Sequence, residues 1–208
     1  MNVVAFYTDP NDWPDHSKLT RPAKKEECLR DFSDMNSDVK KILELTKDNL
    51  DAVSPHLPPS ILLHKLTSTS KWAIFDLGDN PPPAVAQGKI CLIGDAAHAT
   101  SPHHGAGAGL AIEDAAVLSE LLADAKEAGQ TDLKSVFATY DAVRRERGNW
   151  LVQSSRLVGD AYEWRAHGLG DDFDKIEETI NKENAVIEGV DVGAMCKEAR
   201  EKLAATRS

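Results

Sequence analysis

The sequence predicts an α/β fold in which a small sheet accompanies five or more helices. Apolar residues recur at helical spacing through most of the chain beyond residue 109. Two short apolar runs, 2–8 and 90–93, are rich in β-branched residues and read as strands. The second run meets a glycine-rich loop, and that loop leads directly into a long helical pattern.

The 208 residues suffice for a sizeable core, and 41% hydrophobic with 28% charged residues is ordinary for a globular chain. A formal net charge of −10 argues against nucleic acid or an anionic membrane as partner, since both select a basic face. No run approaches the roughly 18 apolar residues of a membrane-spanning helix. The opening MNVVAFYTDPND has neither the basic nor the apolar region of a secretory signal. Cys28, Cys91 and Cys196 suggest no zinc spacing and no disulfide framework. A reducing cytoplasm is the expected setting.

Along the chain, Asn2 to Thr8 is expected as a strand and DPNDWPDHSKLTRPAK as a loop. Glu26 to Met35 predicts a helix with Cys28, Leu29, Phe32 and Met35 on one face. Ser37 is placed to cap a second, carrying Val39, Ile42, Leu43 and Leu45. Pro55, Pro58 and Pro59 break the pattern. Ile61 to Leu66 and Trp72 to Leu77 read as strands or extended segments, before the stiff PPP at 81–83.

Residues 90–93, ICLI, predict a buried strand. A helix from about Gly109 to Lys126 would bury Leu110, Ile112, Ala115, Leu118, Leu121 and Leu122, with Gly129 ending it. Separate helices are expected over 132–147, with Leu133, Val136, Phe137, Tyr140 and Val143 inward, and over 150–164. Two more follow over 173–183 and 192–203.

The chemistry concentrates at 94–109. Gly105, Gly107 and Gly109 carry no Cβ to hold a ligand off the backbone. The helix N-terminus behind them offers unpaired N–H groups and partial positive charge, which suit the electron-rich edge of a planar cofactor or a phosphate. Asp95 can accept hydrogen bonds from ligand hydroxyls. A glycine-rich turn before a helix is by itself unspecific. The whole order is specific: KICLIGDAAHATSPHHGAGAGLAIEDA, Lys89 to Ala115.

That stretch resembles the flavin-ring loop of the group A FAD-dependent aromatic monooxygenases, most closely the salicylate hydroxylase-like branch. DWPD at 12–15, KEECLRDF at 25–32, KWAIFD at 71–76 and YDAVRRERGNWLVQSSR at 140–156 extend the likeness over roughly residues 2–165. The resemblance implies FAD as cofactor, NAD(P)H as reductant and hydroxylation of a small aromatic or phenolic substrate. It implies that Asp95 binds ribityl or ribose hydroxyls and that Pro102 lies near the reactive edge of the ring. Gly94 opens the loop, and Gly105, Ala106, Gly107, Ala108 and Gly109 would supply N–H groups to the pyrimidine end. By the same resemblance, 1–85 belong to the substrate domain and its connecting helices. Residues 86–165 form the flavin-ring half of the FAD-binding domain, and 166–208 are C-terminal helices.

The family's other fingerprint, GxGxxG after an opening strand, is absent from the 208 residues. Two readings follow. In one, the chain is the C-terminal part of such a monooxygenase, its site completed by an N-terminal half on another chain or by a homodimer. In the other, the pocket serves a flavin-independent isomerase, cyclase or lyase, or a non-catalytic remnant. His98, His103 and His104 are the acid–base candidates, with Asp95 as orienter. No metal is expected at these histidines, because no cysteine or second carboxylate completes a ligand set. Glu113 and Asp114 are expected merely to favour the helix dipole, and Arg144, Arg145 and Arg147 to form a solvated face. Trp150 and Trp164 are expected in a core or interface.

Overall fold

A computed structural model describes residues 4–45, 70–130 and 133–207. The chain divides into two compact units, 1–74 and 75–208.

The first unit holds a two-stranded antiparallel sheet, β1 (Thr20–Pro22) and β2 (Ser70–Trp72), in the register Thr20 to Trp72. Helices α1 (Lys25–Asp31) and α2 (Ser37–Glu44) accompany it. The cap of α2 is Asn36, whose side chain accepts from the N–H of Asp38 and Val39, so Ser37 lies one residue inside the helix. A half-buried cation organises this unit. Lys71 Nζ reaches Glu27 at 2.9 Å, Asp31 at 2.6 Å and the Tyr7 hydroxyl at 2.9 Å. Residues 4–8 pair with no strand among the described residues, and Val4 is exposed. The expected strand therefore does not form over 4–8, and no strand among the described residues offers that apolar run a ladder. Asn2, Val3, the three prolines and Ile61 to Leu66 lie outside the described residues.

In the second unit, the expected strand at 90–93 is reduced to a hairpin arm. β3 (Ala86–Gln87) pairs with β4 (Ile90–Cys91) across a turn in which Gly88 takes φ +61°. One neighbour cannot bury such a run on both faces, and Ile90 remains 68% exposed. The chain then makes the single turn α3 (Asp95–His98), a 3-10 turn at Pro102–His104, and the long helix α4 (Gly107–Glu127). Gly129, at φ +67°, follows the end of α4.

The buried face of α4 is Leu110, Asp114, Val117, Leu121 and Ala125, steps of three and four residues. Ile112, expected inside, is 70% exposed. Leu110 and Leu121 are buried as expected, whereas Ala115 and Leu122 are exposed like Ile112; a stripe counted on hydrophobicity alone passes over Asp114.

The two helices expected over 132–147 and 150–164 are one, α5 (Lys134–Tyr162). Gly148 does not break it. A Cβ there would lie 3.1 Å from His98 Cβ, so this glycine makes room for a neighbour. Helices α6 (Phe173–Glu188) and α7 (Val192–Ala205) begin at Asp172 and Asp191, each accepting a first-turn N–H. The core lies where α4, α5 and α7 meet, and includes Val117, Leu121, Val136, Tyr140, Ala199 and Leu203. Trp164, expected in a core or interface, stands exposed against Phe173 with ring centroids 6.1 Å apart.

Candidate flavin-loop site

The loop at 94–109 is held from behind by buried charge. Asp114 is 0% exposed, and Arg144, facing it from α5, is 2% exposed. The Asp114 carboxylate accepts from the Gly94 N–H at 3.0 Å, His98 Nε2 at 2.6 Å and Arg144 Nε at 2.7 Å. Arg144 also reaches Glu113 at 2.9 Å and donates to the Leu110 carbonyl at 3.3 Å. Arg147 grips Glu113 with two bonds, 2.6 and 2.7 Å long.

Two of the three arginines expected on a solvated face, Arg144 and Arg147, thus join Glu113 and Asp114 in this network, whereas Arg145 stays partly exposed beside Asp141. Burial alone would push the Asp114 carboxyl up, but the hydrogen bonds from His98, Gly94 and Arg144 outweigh it and hold the group below its usual range. Glu113 is likewise pushed up by burial and brought net down by Arg147 and Arg144.

This network fixes the loop's entry. Gly94 adopts φ +59° and ψ −141°, a region closed to side-chain-bearing residues, and its N–H points to Asp114. Asp95 follows on the exposed side, where its carboxylate enters no hydrogen bond or ion pair among the described residues. His98 is buried against Asp114 and Gly148, and its Nδ1 has no hydrogen-bond partner.

The two histidines of the 3-10 turn point differently. His103 Nδ1 lies 2.9 Å from Ser101 Oγ, and its ring rests on the backbone of Gly159 beside Tyr162. Burial pushes its imidazole down, which favours the neutral form. His104 turns inward between Ser154 and Asn184. Pro102 is exposed at the head of the turn.

Gly105 closes the turn at φ +65°, a left-handed position suited to glycine. Helix α4 begins with no side-chain cap, and among the described residues nothing outside the helix accepts from the N–H groups of Gly107, Ala108 and Gly109. Gly109 is the telling position. It is helical, where glycine costs about 1 kcal/mol relative to alanine. Yet a Cβ there would meet no atom within 4 Å. Nothing inside the protein requires that glycine, so the open space beside it suits a ligand lying against the backbone. The arrangement offers backbone donors at a helix start and an exposed carboxylate at Asp95, chemistry that fits the ring and polyol portions of a flavin.

The FAD binding domain family matches residues 31–155. The chain belongs to the FAD-binding-domain family. FAD is the family's cofactor, and the expectation drawn from the sequence is upheld on this point.

Relatives in this family include the FAD-dependent monooxygenase pigN of Monascus ruber, 41% identical over 208 residues, covering 97% of this chain and 43% of that one. The salicylate hydroxylase of Sarocladium schorii is 34% identical over 218 residues, covering 97% of this chain and 42% of its own. A solved salicylate hydroxylase in complex with its substrate superposes with a TM-score of 0.71 at 31% identity, covering 91% of this chain and 40% of that chain. The chain therefore spans about two-fifths of the length of these relatives, and its α/β fold is theirs. Among the described residues, no helix is long and apolar enough to cross a membrane.

Sequence reasoning missed Asp114 and Arg144 as organisers of the loop. The signal was available, since Asp114 occupies the apolar stripe Leu110, Val117, Leu121, and Arg144 the stripe Val136, Tyr140, Leu151. A charge at a core position of one helix, matched by its opposite on the next, points to a buried pair.

Proposed function

We propose that the chain is the C-terminal, flavin-ring portion of a salicylate hydroxylase-like FAD-dependent monooxygenase acting on a phenolic or other small aromatic substrate. The observation that carries this reading is the uncapped start of α4, with Gly109 open to solvent and no internal reason to be glycine. In this reading residues 86–165 hold the flavin ring, 1–85 contribute to the substrate domain, and 166–208 are supporting helices. Asp95 takes the ribityl or ribose hydroxyls. Pro102 sits at the reactive edge, and the N–H groups from Gly105 through Ala106, Gly107 and Ala108 to Gly109 face the pyrimidine end. When bound, the flavin supplies the redox chemistry by which one oxygen atom reaches the aromatic ring.

The chain's own residues bind and orient. Asp114 and Arg144 fix Gly94 and His98, so the loop keeps its shape before the cofactor arrives, which is what preorganisation requires. His103, favoured neutral by burial, packs its ring on Gly159 and ties the turn to α5. His98 holds the loop's first turn against α5, and His104 holds the 3-10 turn. The adenosine end of FAD is taken by a GxGxxG-bearing N-terminal half supplied by another chain. NAD(P)H serves as reductant, and the acidic, disulfide-free chain works in the cytoplasm.

The test is an absorption spectrum of the purified protein after FAD addition and desalting. Retained flavin that bleaches with NAD(P)H supports the reading. Protein that never retains flavin, alone or with a GxGxxG-bearing half of a relative, refutes it.

A further inference from the structure

His104 sits in the middle of a polar knot that joins three segments. It stands on the 3-10 turn, Ser154 on α5, and Glu183 and Asn184 on α6. His104 Nε2 is 2.8 Å from Ser154 Oγ, and His104 Nδ1 is 3.0 Å from Asn184 Oδ1. Ser154 Oγ donates to Glu183 Oε2 at 2.6 Å.

The proton count orders the chain of bonds. Ser154 has one hydroxyl proton and gives it to Glu183. Its oxygen is left to accept from His104 Nε2–H. Asn184 then completes the ring at Nδ1, since an amide can face that nitrogen with either of its ends. Both nitrogens are therefore anchored, and the imidazole cannot rotate without breaking bonds to two different helices. Ser154 is buried, so its bonds are sheltered from competing water.

The family match ends at residue 155, whereas Glu183 and Asn184 lie well beyond it on α6. We infer that His104 is a positioning residue through which helix α6 sets the Pro102–His104 turn of the flavin loop. Its neighbour on the other side, Gly105, is hinge-like at φ +65°, and its N–H donates to the Pro102 carbonyl at 3.0 Å. The exposed Pro102 rides on the turn that this anchor holds. This inference rests on the flavin-loop reading above, and its test separates the two.

The primary measurement needs no flavin. Exchange of the Gly105 amide is followed by NMR in the 208-residue protein, in wild type, His104→Ala, Asn184→Ala, Glu183→Ala and the His104→Ala/Asn184→Ala double variant. Each single change is expected to speed exchange by roughly five- to tenfold, the factor that one net hydrogen bond is worth. The double variant should exchange no faster than the faster single one, because both remove the same anchor. His104→Gln, which keeps a donor for Ser154, should recover most of the protection. Amides of Val117 to Ala125 in α4 should not change.

Added FAD should bind Asn184→Ala about fivefold more weakly than wild type, although Asn184 lies outside the loop. Unchanged Gly105 exchange in Asn184→Ala and Glu183→Ala, additive effects in the double variant, or loss of protection spread through α4 would each overturn the inference. If wild type binds no FAD while the exchange pattern holds, the flavin reading falls and the anchor stands. If wild type binds FAD and Asn184→Ala matches it in both measurements, the anchor falls and the flavin reading stands.

Discussion

Replacing Asp114 with alanine removes the one carboxylate that serves Gly94, His98 and Arg144 together. Arg144 would keep Glu113 at 2.9 Å, but its Nε, buried with the rest of the side chain, would face a cavity. Removing one partner from a buried ion pair costs about 3–5 kcal/mol, because the buried donors left behind are not hydrated and Glu113 serves only another nitrogen of Arg144. At a urea m-value of about 2 kcal/mol/M, the midpoint should fall by about 1.5–2.5 M with m unchanged. Tryptophan fluorescence reads this directly, since Trp150 lies on α5 beside Arg147. Arg200→Ala is the control. It removes an ion pair with Glu120 whose side chains are both more than two-fifths exposed, and should cost at most about 1 kcal/mol. The Asp114 carboxyl is held below its ordinary value in the folded state, so its contribution is fully present above about pH 4 and is lost as pH falls through the folded value. The gap between wild type and Asp114→Ala should therefore be complete at pH 7 and close in acid. A loss below about 1 kcal/mol at pH 7, or a gap that persists undiminished in acid, would refute the argument that this pair carries the loop.

Gly109→Ala should leave the fold as stable or up to about 1 kcal/mol more stable, by the helix propensity gained, while FAD affinity measured by fluorescence quenching falls at least tenfold. Gly159→Ala would put a Cβ 2.6 Å from His103 Cε1 and should cost roughly 1–3 kcal/mol by thermal or urea melting. Burial lowers the His103 imidazole in the folded state, so the unfolded chain binds the extra proton first and stability drops as pH falls below about 6.5. His103→Gln should flatten that slope between pH 7 and 5, and an unchanged slope would assign it to another group.

The layout of residues 94–109 was legible because it is local. Glycine placement, the helix start behind it and the carboxylate at its entry are all set within sixteen consecutive positions, and the structure puts them along one loop and helix start. Long helices were legible too, apart from the division at Gly148. What failed is what depends on distant partners. The run 90–93 has strand composition, but a strand is only as long as its neighbours, and β3 offers two residues. Val4 to Thr8 fails for the same reason. The buried face of α4 was misjudged because its central member, Asp114, is charged, and only the position of Arg144, thirty residues on, makes that charge tolerable.

The glycines around the loop divide by what each one faces, and the division bears on function. Gly148 and Gly159 face inward, and each admits a histidine ring against the backbone of α5: His98 at 3.1 Å and His103 at 2.6 Å from the atom a side chain would add. They let one straight helix carry both ends of the loop at close range. Gly105 and Gly109 face outward and meet no atom within 4 Å. Close packing explains the first pair completely, because the neighbour is in view. It explains Gly109 not at all, because its neighbour is solvent. A helix that accepts about 1 kcal/mol of lost propensity at a position without internal contacts is shaped for something outside the chain. Since the N–H groups beside that position have no acceptors of their own within the helix, what lies there must bring acceptors. The inward glycines thus build the loop, and the outward ones leave the space that the proposed flavin would fill.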